Sequence, residues 1–515
     1  MSLRAPHAIS ELKRPPVIWI TNGSRPPLFP NSFSVNHKHS TRVCVPVCEK
    51  DLDALRSACE LADWVELRID CFDKVPDLEE IKRPLILTFR PAQQGGYREL
   101  THEERRRFWS SAPHGETVWW DIEGDLVHDL TPDWSRVIVS HHDFSGVPKN
   151  LEQIYERLAH TPAAVIKIAV QANDILDCLP VFQLLDRARS EGREIIAIAM
   201  GNAGIATRVL GPSRGSFLTY GALEDARTTA PGQVNARKLR SLYHMDTIDN
   251  ETMICGLVGL PVMHSVSPRI HNAAFLQENL NGVYLPFEVQ DAVEFFKRMV
   301  HPVTRELNWN LRGLSITAPH KQTVMECLDW IQPDAKDIGA VNTVIVEGGR
   351  LLGYNTDAAG FIDPLLSRFN TLRDAKVAII GAGGAARAAI WALQRQNANV
   401  TLFARNVSKA QSLADLFGIS CVSLAEASFA GYDFVINTTP VGSGAYIDQS
   451  PVTREQLSGS RCVYDLIYNP RETLLLREAL EAGCETLGGL EMLVAQAGLQ
   501  FELWTGRKLA TDFRG

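Results

Sequence analysis

Residues 376–393, KVAIIGAGGAARAAIWAL, set the architecture expected for the second half of the chain. The apolar run VAII leads directly into glycines, and an alanine-rich segment typical of a helix follows. Gly381, Gly383 and Ala386 fit the pattern G-x-G-x-x-G/A, in which glycines let a pyrophosphate approach the backbone and the helix N-terminus favours its charge. The segment predicts a strand–turn–helix unit that binds a dinucleotide in a parallel sheet. The alternative is a glycine-rich turn with a purely structural role.

The next predicted strand ends in VTLFARNVSK, residues 400–409. An enzyme that uses NAD usually has an acidic side chain here, which binds the 2′-hydroxyl of the ribose. This chain has Arg405 and, one helical turn later, Lys409, with no acid between them. Two cations suit a 2′-phosphate, so the sequence predicts NADP rather than NAD. The alternative for both cations is the solvated start of a helix.

The composition of the 515-residue chain is that of a globular protein, with 45% hydrophobic and 22% charged residues. Disordered, collagen-like and coiled-coil chains are therefore excluded. Lysine plus arginine number 52 and aspartate plus glutamate 60, which gives a net charge of −8. This acidic balance argues against general binding of nucleic acid or anionic membranes. No apolar run is long enough to predict a transmembrane helix.

The ten cysteines show no CxxC and no cysteine–histidine zinc pattern, so we expect reduced core thiols and no metal site. Residues 1–41 are rich in Pro, Ser and Asn, and Glu11 is their only acid. A transit peptide is similarly poor in acids, but this segment has few arginines and no long amphipathic stretch. We expect a disordered extension and a cytoplasmic protein, with a plastid location as the alternative.

Between Val43 and about Tyr220, eight short β-like runs recur at intervals of roughly 25 residues, most of them followed by a helix-like segment. This pattern predicts a (β/α)8 barrel over residues 42–245. After a break near residues 243–251, we expect a two-lobed α/β unit. Its lobes are a mixed α/β substrate-binding lobe at 252–355 and a dinucleotide-binding Rossmann lobe at 356–487, followed by a C-terminal helical segment at 488–515.

Two polar residues interrupt the apolar barrel strands in a way that predicts chemistry. Lys167 lies inside AAVIKIAV, where burial would lower the pKa of its amine and let it attack a ketone to form an iminium. Alternatively, Lys167 extends to the rim or pairs with Glu66. His142 lies one βα repeat earlier, so it would share the pocket and act in acid–base catalysis, unless it is structural. Arg90 and Arg208 could bind a carboxylate or form salt bridges.

Six short motifs then occur in order: ELRID at 66–70, TFRPAQQGG at 88–96, SHHDF at 140–144, VIKIA at 165–169, TRVLG at 207–211 and TAPGQ at 229–233. Together they resemble the type I 3-dehydroquinate dehydratases. The resemblance implies a Schiff base on Lys167 and acid–base catalysis by His142. It also implies substrate binding by Glu66, Arg68, Arg90, Arg208, Thr229 and Gln233. Two residues depart from the family: Gln94 stands where many members have Glu, and Thr229 replaces a common Ser.

In the second half, polar residues follow apolar runs. Ser265 and Ser267 in GLPVMHSVSPRIHN could bind a carboxylate or a polyol, or form an ordinary turn. Lys321 and Asp357 could relay a proton to a carbonyl oxygen, or form a salt bridge between domains. Asn342 lies in the motif IGAVNT between them.

With NTTPVG at 437–442, YDLIYNP at 464–470 and GGLEMLVAQAG at 488–498, these motifs resemble shikimate dehydrogenase over residues 252–515. The resemblance implies that Lys321 and Asp357 are catalytic. It implies substrate contacts from Ser265, Ser267, Thr317, Asn342, Tyr468 and Gln496. It implies NADP contacts from Gly381, Gly383, Gly384, Ala385, Arg387, Ala404, Arg405, Lys409 and Gly489. Ser315 stands where many bacterial members have Asn, and ARN at 404–406 replaces the common NRT.

The two resemblances imply consecutive reactions, because the product of the dehydratase is the substrate of the dehydrogenase. The expected small molecules are 3-dehydroquinate, 3-dehydroshikimate and shikimate, with NADP(H) as the cofactor and no oligomeric state predicted. Two alternatives stay open at this point. The second half could act on quinate, or the barrel could be a binding module without catalysis.

Overall fold

The computed structural model describes residues 41–48, 52–76, 78, 81–225 and 228–509, and they form three β-sheets with their helices. The prediction of a disordered extension therefore lies outside the described residues, except for Thr41. None of the described helices is both long enough and apolar enough to cross a membrane.

The first sheet is an eight-stranded parallel barrel. Its strands are β1 Val43–Val47, β2 Trp64–Arg68, β3 Leu85–Thr88, β4 Val118–Glu123, β5 Val137–Asp143, β6 Val165–Gln171, β7 Ile195–Met200 and β8 Thr219–Tyr220. The helices are α1 Leu52–Leu61, α2 His102–Trp109, α3 Leu151–Ala159, α4 Cys178–Glu191, α5 Ile205–Leu210 and α6 Ala236–Ser241. The strands follow one another from β1 to β7, β8 pairs with β1, and a parallel bridge between Ile195 and Ser216 closes the ring. The predicted (β/α)8 barrel is confirmed.

The apolar strand sequences explain the barrel, because its interior and its outer layer both bury them. Inside, Trp64 of β2 packs edge-on against Trp119 and Phe217 at centroid distances of 5.3 and 5.5 Å. Outside, α2 begins with a capping box in which Thr101 and Glu104 satisfy each other's backbone N–H groups. This capping box fixes the point at which α2 begins.

The prediction that all cysteines are reduced is wrong for one pair. Cys48 and Cys71 form a disulfide, with their Cα atoms 5.4 Å apart. The reason is the topology: β1 and β2 are neighbouring parallel strands, so the residues that follow their carboxyl ends lie side by side. The other eight cysteines are free thiols.

The second sheet is mixed, with strand order β10-β9-β11-β13-β14-β12. Its strands are β9 Met253–Gly259, β10 Gly282–Glu288, β11 Leu311–Ile316, β12 Trp330–Ile331, β13 Thr343–Glu347 and β14 Arg350–Tyr354. The helices are α7 Ser267–Gln277, α8 Ala292–Phe295, which continues as a π-helical turn over Phe296–Val300, and α9 Pro333–Ile338. Strand β13 is antiparallel to both of its neighbours.

The third sheet is entirely parallel, with strand order β17-β16-β15-β18-β19-β20. Its strands are β15 Lys376–Ile380, β16 Asn399–Ala404, β17 Ser420–Ser423, β18 Phe434–Asn437, β19 Cys462–Asp465 and β20 Glu485–Leu487. The helices are α10 Asp357–Phe369, α11 Gly384–Arg395, α12 Val407–Phe417, α13 Arg454–Leu457, α14 Leu474–Glu481 and α15 Gly489–Thr505. This order is that of the predicted dinucleotide-binding lobe, whose switch point lies between β15 and β18.

The last helix, α15, returns to the second sheet. Its Trp504 donates a hydrogen bond from Nε1 to the carbonyl of Val344 in β13 at 3.1 Å. Phe501 and Trp504 are buried in the same apolar cluster as Phe275 of α7. The C-terminal helix therefore joins the two lobes of the second half.

Candidate active sites

One pocket at the carboxyl ends of the barrel strands is lined by all eight barrel residues predicted from the sequence. They are Glu66, Arg68, Arg90, His142, Lys167, Arg208, Thr229 and Gln233. Side chains from six strands or their following loops meet there because parallel strands of a barrel all end at the same face. The pocket also includes Phe144, Ile198, Met200 and Tyr220, which the sequence did not single out.

Lys167 projects from β6 into this pocket, where only 4% of the residue is exposed. Its Nζ donates hydrogen bonds to Oδ2 of Asp121 at 2.8 Å and to the hydroxyl of Tyr220 at 2.9 Å. The expected pairing with Glu66 is longer, at 3.6 Å. Lys167 therefore does not extend to the rim, and its main acidic partner is Asp121.

His142 is buried beside Lys167, at the end of β5. Among the described residues its Nδ1 has no hydrogen-bond partner. Burial, and after it the charges of Arg90 and Lys167, hold the pKa of His142 well below its usual value. The imidazole is therefore neutral near neutral pH and can accept a proton. His141 does not line the pocket, as the alternation of side chains along a strand predicts.

Arg208 differs from the other arginines of the pocket. Arg68 forms a bidentate pair with Asp70, at 3.1 and 2.8 Å, and Arg90 contacts Asp121 at 2.7 Å. Arg208 is 1% exposed, and within the described part of the chain its hydrogen bonds go to backbone carbonyls only. Burial lowers its pKa to about 10, so the guanidinium stays charged at neutral pH. A buried cation without an acidic partner is suited to an anionic ligand.

The remaining barrel residues lie around this centre. Glu66 accepts a hydrogen bond from Thr88 at 2.6 Å, and Gln233 donates one to the hydroxyl of Thr229 at 3.1 Å. Gln94 directly precedes Gly95, which lines the pocket, and its buried Oε1 has no hydrogen-bond partner in the described residues.

Asp121 and Tyr220 contact Lys167, and sequence analysis assigned no role to either of them. Asp121 and Glu123 share one face of β4, and this spacing was a signal that could have assigned Asp121 to the interior. No such signal marks Tyr220, because β8 is only two residues long, too short to show a strand periodicity.

A second cluster of polar residues lies between the two lobes of the second half. Nζ of Lys321, which follows β11, is 2.5 Å from Oδ2 of Asp357, the first residue of α10. Asn342, which precedes β13, donates to Oδ1 of Asp357 at 2.8 Å and to Oε1 of Gln496 in α15 at 3.4 Å. Four predicted residues therefore meet, although they come from four separate segments.

The paired serines lie at the start of α7, where Oγ of Ser265 donates to Oγ of Ser267 at 3.1 Å. Tyr284 of β10 donates to Ser315 at 2.7 Å, and Ser315 donates to Gln500 at 2.8 Å. Burial raises the pKa of Tyr284, and electrostatic interactions with Cys255 and with Tyr468, which is half-buried after β19, add to this effect.

Gln500 joins this group to the Lys321 cluster, because its Nε2 donates to the carbonyl of Asn342 at 3.2 Å. Sequence analysis missed Tyr284 and Gln500, and it placed Ser315 only as a departure from the family. Thr317 follows β11, and its amide donates to the carbonyl of Val258 at 2.9 Å.

The glycine-rich turn lies beside Lys321. Gly381 has a φ of +108°, which favours glycine, and an added Cβ would lie 2.8 Å from Oγ1 of Thr438. An added Cβ on Gly384 would lie 3.0 Å from Cδ of Lys321, whereas one on Gly383 would meet no atom of the described residues within 4 Å. A pyrophosphate can therefore approach the N-terminus of α11 directly, as the predicted cofactor site requires.

The other predicted cofactor residues lie on α11, at the end of β16, at the start of α12 and at the start of α15. Ala385 and Arg387 lie in the first turn of α11, and burial lowers the pKa of the half-buried Arg387. Ala404 is the last residue of β16, and Arg405 and Lys409 are exposed after it. Neither of these two cations has an ion-pair partner within the described chain, so both can receive a phosphate. Gly489 begins α15, and its amide donates to the carbonyl of Ile467 at 3.1 Å.

Family models match nearly the whole of the described chain. Residues 43–250 match type I 3-dehydroquinase, and residues 257–344 match the shikimate dehydrogenase substrate binding domain. Residues 365–472 match shikimate/quinate 5-dehydrogenase, and residues 489–512 match the shikimate 5′-dehydrogenase C-terminal domain.

Curated relatives repeat this division. A chloroplastic bifunctional 3-dehydroquinate dehydratase/shikimate dehydrogenase from Arabidopsis thaliana is 33% identical, and the match covers 91% of this chain and 83% of the relative. A shikimate dehydrogenase (NADP(+)) from Caldanaerobacter subterraneus is 42% identical over 52% of this chain and 96% of its own length. A crystal structure of a shikimate dehydrogenase in complex with NADP+ is 38% identical over 51% of this chain and 93% of that chain, with a TM-score of 0.47. The chain belongs to the family of bifunctional 3-dehydroquinate dehydratases/shikimate dehydrogenases.

Proposed function

We propose that the barrel dehydrates 3-dehydroquinate to 3-dehydroshikimate and that the second half reduces this product to shikimate with NADPH. The match to a bifunctional relative over most of both chains is the observation that carries this proposal. The two polar clusters support it, because one has a buried lysine beside a neutral histidine and the other a lysine–aspartate pair beside a glycine-rich turn. The substrates are small molecules, and the proposal includes no nucleic acid or membrane partner.

In the barrel, Arg208 binds the carboxylate of the substrate, and the amine of Lys167 attacks its ketone carbon. The N–C bond forms as the carbonyl π bond breaks, and loss of water leaves an iminium. His142 removes a proton from the carbon next to the iminium, whose nitrogen accepts the electron pair. The same imidazole returns the proton to the departing hydroxyl. Hydrolysis of the new imine releases the product and restores the Lys167 amine.

In the second half, Ser265 and Ser267 bind the carboxylate, and Lys321 donates a proton to the carbonyl oxygen as it is reduced. Asp357 and Asn342 orient Lys321 through the contacts described above. NADPH supplies the hydride when it is bound. The residues that would hold it are those of the turn at 381–387 for the pyrophosphate, with Arg405 and Lys409 for the 2′-phosphate. Ala404 cannot add a side-chain hydrogen bond there.

The division into domains at 42–245, 252–355, 356–487 and 488–515 is part of this proposal. So is a cytoplasmic location, for which a plastid is the alternative because the bifunctional relative is chloroplastic. A fluorescent fusion to the full chain, imaged in cells of the source, separates the two locations.

A coupled assay on the purified full-length chain tests the proposal. With only 3-dehydroquinate and NADPH supplied, we expect the NADPH absorbance to fall. Lys167→Ala should abolish this loss, and 3-dehydroshikimate should restore it in the variant. If the wild-type chain consumes NADPH with 3-dehydroshikimate but not with 3-dehydroquinate, the result would contradict the dehydratase activity and favour a barrel that only binds ligands. If NADPH is consumed with neither substrate, but quinate and NAD are turned over, the result would favour a dehydrogenase that acts on quinate.

A further inference from the structure

The hydroxyl of Tyr220 lies against the amine of Lys167, although no motif in the sequence points to it. The phenol oxygen accepts a hydrogen bond from Nζ at 2.9 Å, and Tyr220 is only 4% exposed. The aromatic ring belongs to the apolar cluster inside the barrel, so packing accounts for the ring. Packing does not account for the hydroxyl, because a buried hydroxyl is costly unless it is hydrogen-bonded.

Asp121 and Tyr220 reach Lys167 from two sides of the barrel. Lys167 is on β6, while Asp121 is on β4 and Tyr220 on β8. Going round the ring, β4 is two strands from β6 in one direction and β8 two strands in the other. The two acceptors, at 2.8 and 2.9 Å, therefore define the orientation of Nζ.

We propose that Tyr220 is a positioning residue of the dehydratase, whose hydroxyl, together with Asp121, aims the lone pair of the Lys167 amine at the ketone carbon of the substrate. This inference rests on the proposed Schiff-base role of Lys167. Burial keeps the pKa of Tyr220 well above its usual value, so the phenol stays neutral while it acts.

The hydrogen bonds that the Lys167 amine can donate change at each step of Schiff-base formation. Once the ammonium has released one proton to solvent, the amine has two N–H bonds, one for Asp121 and one for Tyr220, and one lone pair. Attack forms the N–C bond, and a nitrogen proton passes to the carbonyl oxygen. A proton taken up from solvent, which replaces the one released at the start, joins that hydroxyl, and it leaves as water. The product is an iminium with a single N–H, which Asp121 or Tyr220 accepts. The hydroxyl of Tyr220 gains and loses no atom.

Tyr220→Phe tests the proposal because it removes only the hydroxyl and keeps the ring. We expect trapping of the 3-dehydroquinate imine by borohydride in a rapid-quench experiment to slow by about 10-fold, since alignment of a nucleophile governs its rate. The kcat should fall similarly while KM stays within about 2-fold. The matched control is Tyr155→Phe, which removes a hydroxyl that donates to Glu191 at 2.5 Å elsewhere on the barrel and should leave both values unchanged.

Each rate is divided by the amount of imine trapped at long reaction times in the same sample, so that a loss of folded barrel does not enter the comparison. Trapping by Tyr220→Phe at the wild-type rate, with unchanged kcat, would overturn the positioning role while leaving the proposed function intact. Failure of the wild-type chain itself to form a trapped adduct would instead contradict the Schiff base on which the inference rests.

Discussion

The charged side chains Arg90, Asp121 and Lys167 of the barrel pocket are linked by hydrogen bonds through Asp121. Oδ2 of Asp121 accepts from both Arg90, at 2.7 Å, and Lys167, at 2.8 Å. Burial acts to raise the pKa of Asp121, but the two cations outweigh it and hold that pKa below its usual range. Burial raises the pKa of Glu123, the next acid along β4, to about 7. Near neutral pH Asp121 is therefore ionised and Glu123 only partly so, and the ionised Asp121 is next to the amine.

Gln94→Glu should move the pH dependence of the dehydratase. Gln94 adjoins Gly95, which lines the same pocket as His142, so a carboxylate at position 94 favours the imidazolium and raises the low pKa of this histidine. A base must be neutral to accept a proton, so the acid limb of kcat/KM should shift to higher pH, by about one unit. Gln93→Glu, which places the same charge on the exposed neighbour, is the control. A profile for Gln94→Glu that coincides with both wild type and this control would contradict the prediction.

Among the elements, α15 packs closely against its neighbours at two glycines. It begins where Gly489 lies against the residue after β19, and an added Cβ there would be 2.2 Å from the carbonyl oxygen of Leu466. Further along α15, Gly360 of α10 lets Gln496 approach, since a Cβ on Gly360 would lie 2.7 Å from Cβ of Gln496. The contact of Gly489 with the backbone of Leu466 and the contact of Gln496 with α10 fix the position of α15. They therefore place Gln496 beside Asn342.

Gly489→Ala should destabilise the second half by about 1–3 kcal/mol, because the new methyl group meets backbone atoms that cannot move cheaply. Gly498→Ala is the matched control in the same helix. Among the residues that the structure describes, its Cβ would meet only Leu509, at 3.8 Å, so the change should stabilise the helix by about 0.5–1 kcal/mol. Urea unfolding followed by loss of 3-dehydroshikimate reduction measures both. Equal effects of the two substitutions would show that the approach to Leu466 is unimportant.

At the scale of the whole molecule, the barrel and the second sheet touch through the loops that follow their strands. Asp174, which follows β6, accepts a hydrogen bond from the amide of Gln290, which follows β10, at 2.6 Å. Gln290 also donates from Nε2 to the carbonyl of Asn173 at 3.0 Å. Each polar cluster nevertheless lies within one half of the chain, so each half should bind its own ligands.

NADP+ should therefore raise the melting temperature of the dehydrogenase half. At about 100 times its Kd, a ligand stabilises the folded state by about 2.7 kcal/mol, which is roughly 5–10 °C for a unit of this size. Arg405→Ala should reduce the shift given by NADP+ and leave the smaller shift given by NAD+ unchanged. Scanning calorimetry of the full chain measures both. Equal shifts by NADP+ and NAD+ in the wild type would contradict the predicted preference.

Features that depend on residues close together in the chain could be predicted from the sequence. The strand, glycine turn and helix at 376–393 form one unit, and the positive φ of Gly381 belongs to that local turn. The eight apolar runs predicted the barrel, because strand and helix periodicity is local and a (β/α)8 ring follows from its repetition. Lys167 was predicted to lie in the barrel pocket for the same reason, since its neighbours in the strand are apolar.

Contacts between distant strands could not be predicted in this way. Tyr220 is 53 residues from Lys167, and Gln500 is 185 residues from Ser315. The Cys48–Cys71 pair depends on β1 and β2 lying side by side. Which side chains meet depends on the closure of the barrel and on the return of α15 to the second sheet. Both result from the burial of apolar surface between elements. Hydrophobic attraction is non-directional, so no short motif specifies which side chains it brings together.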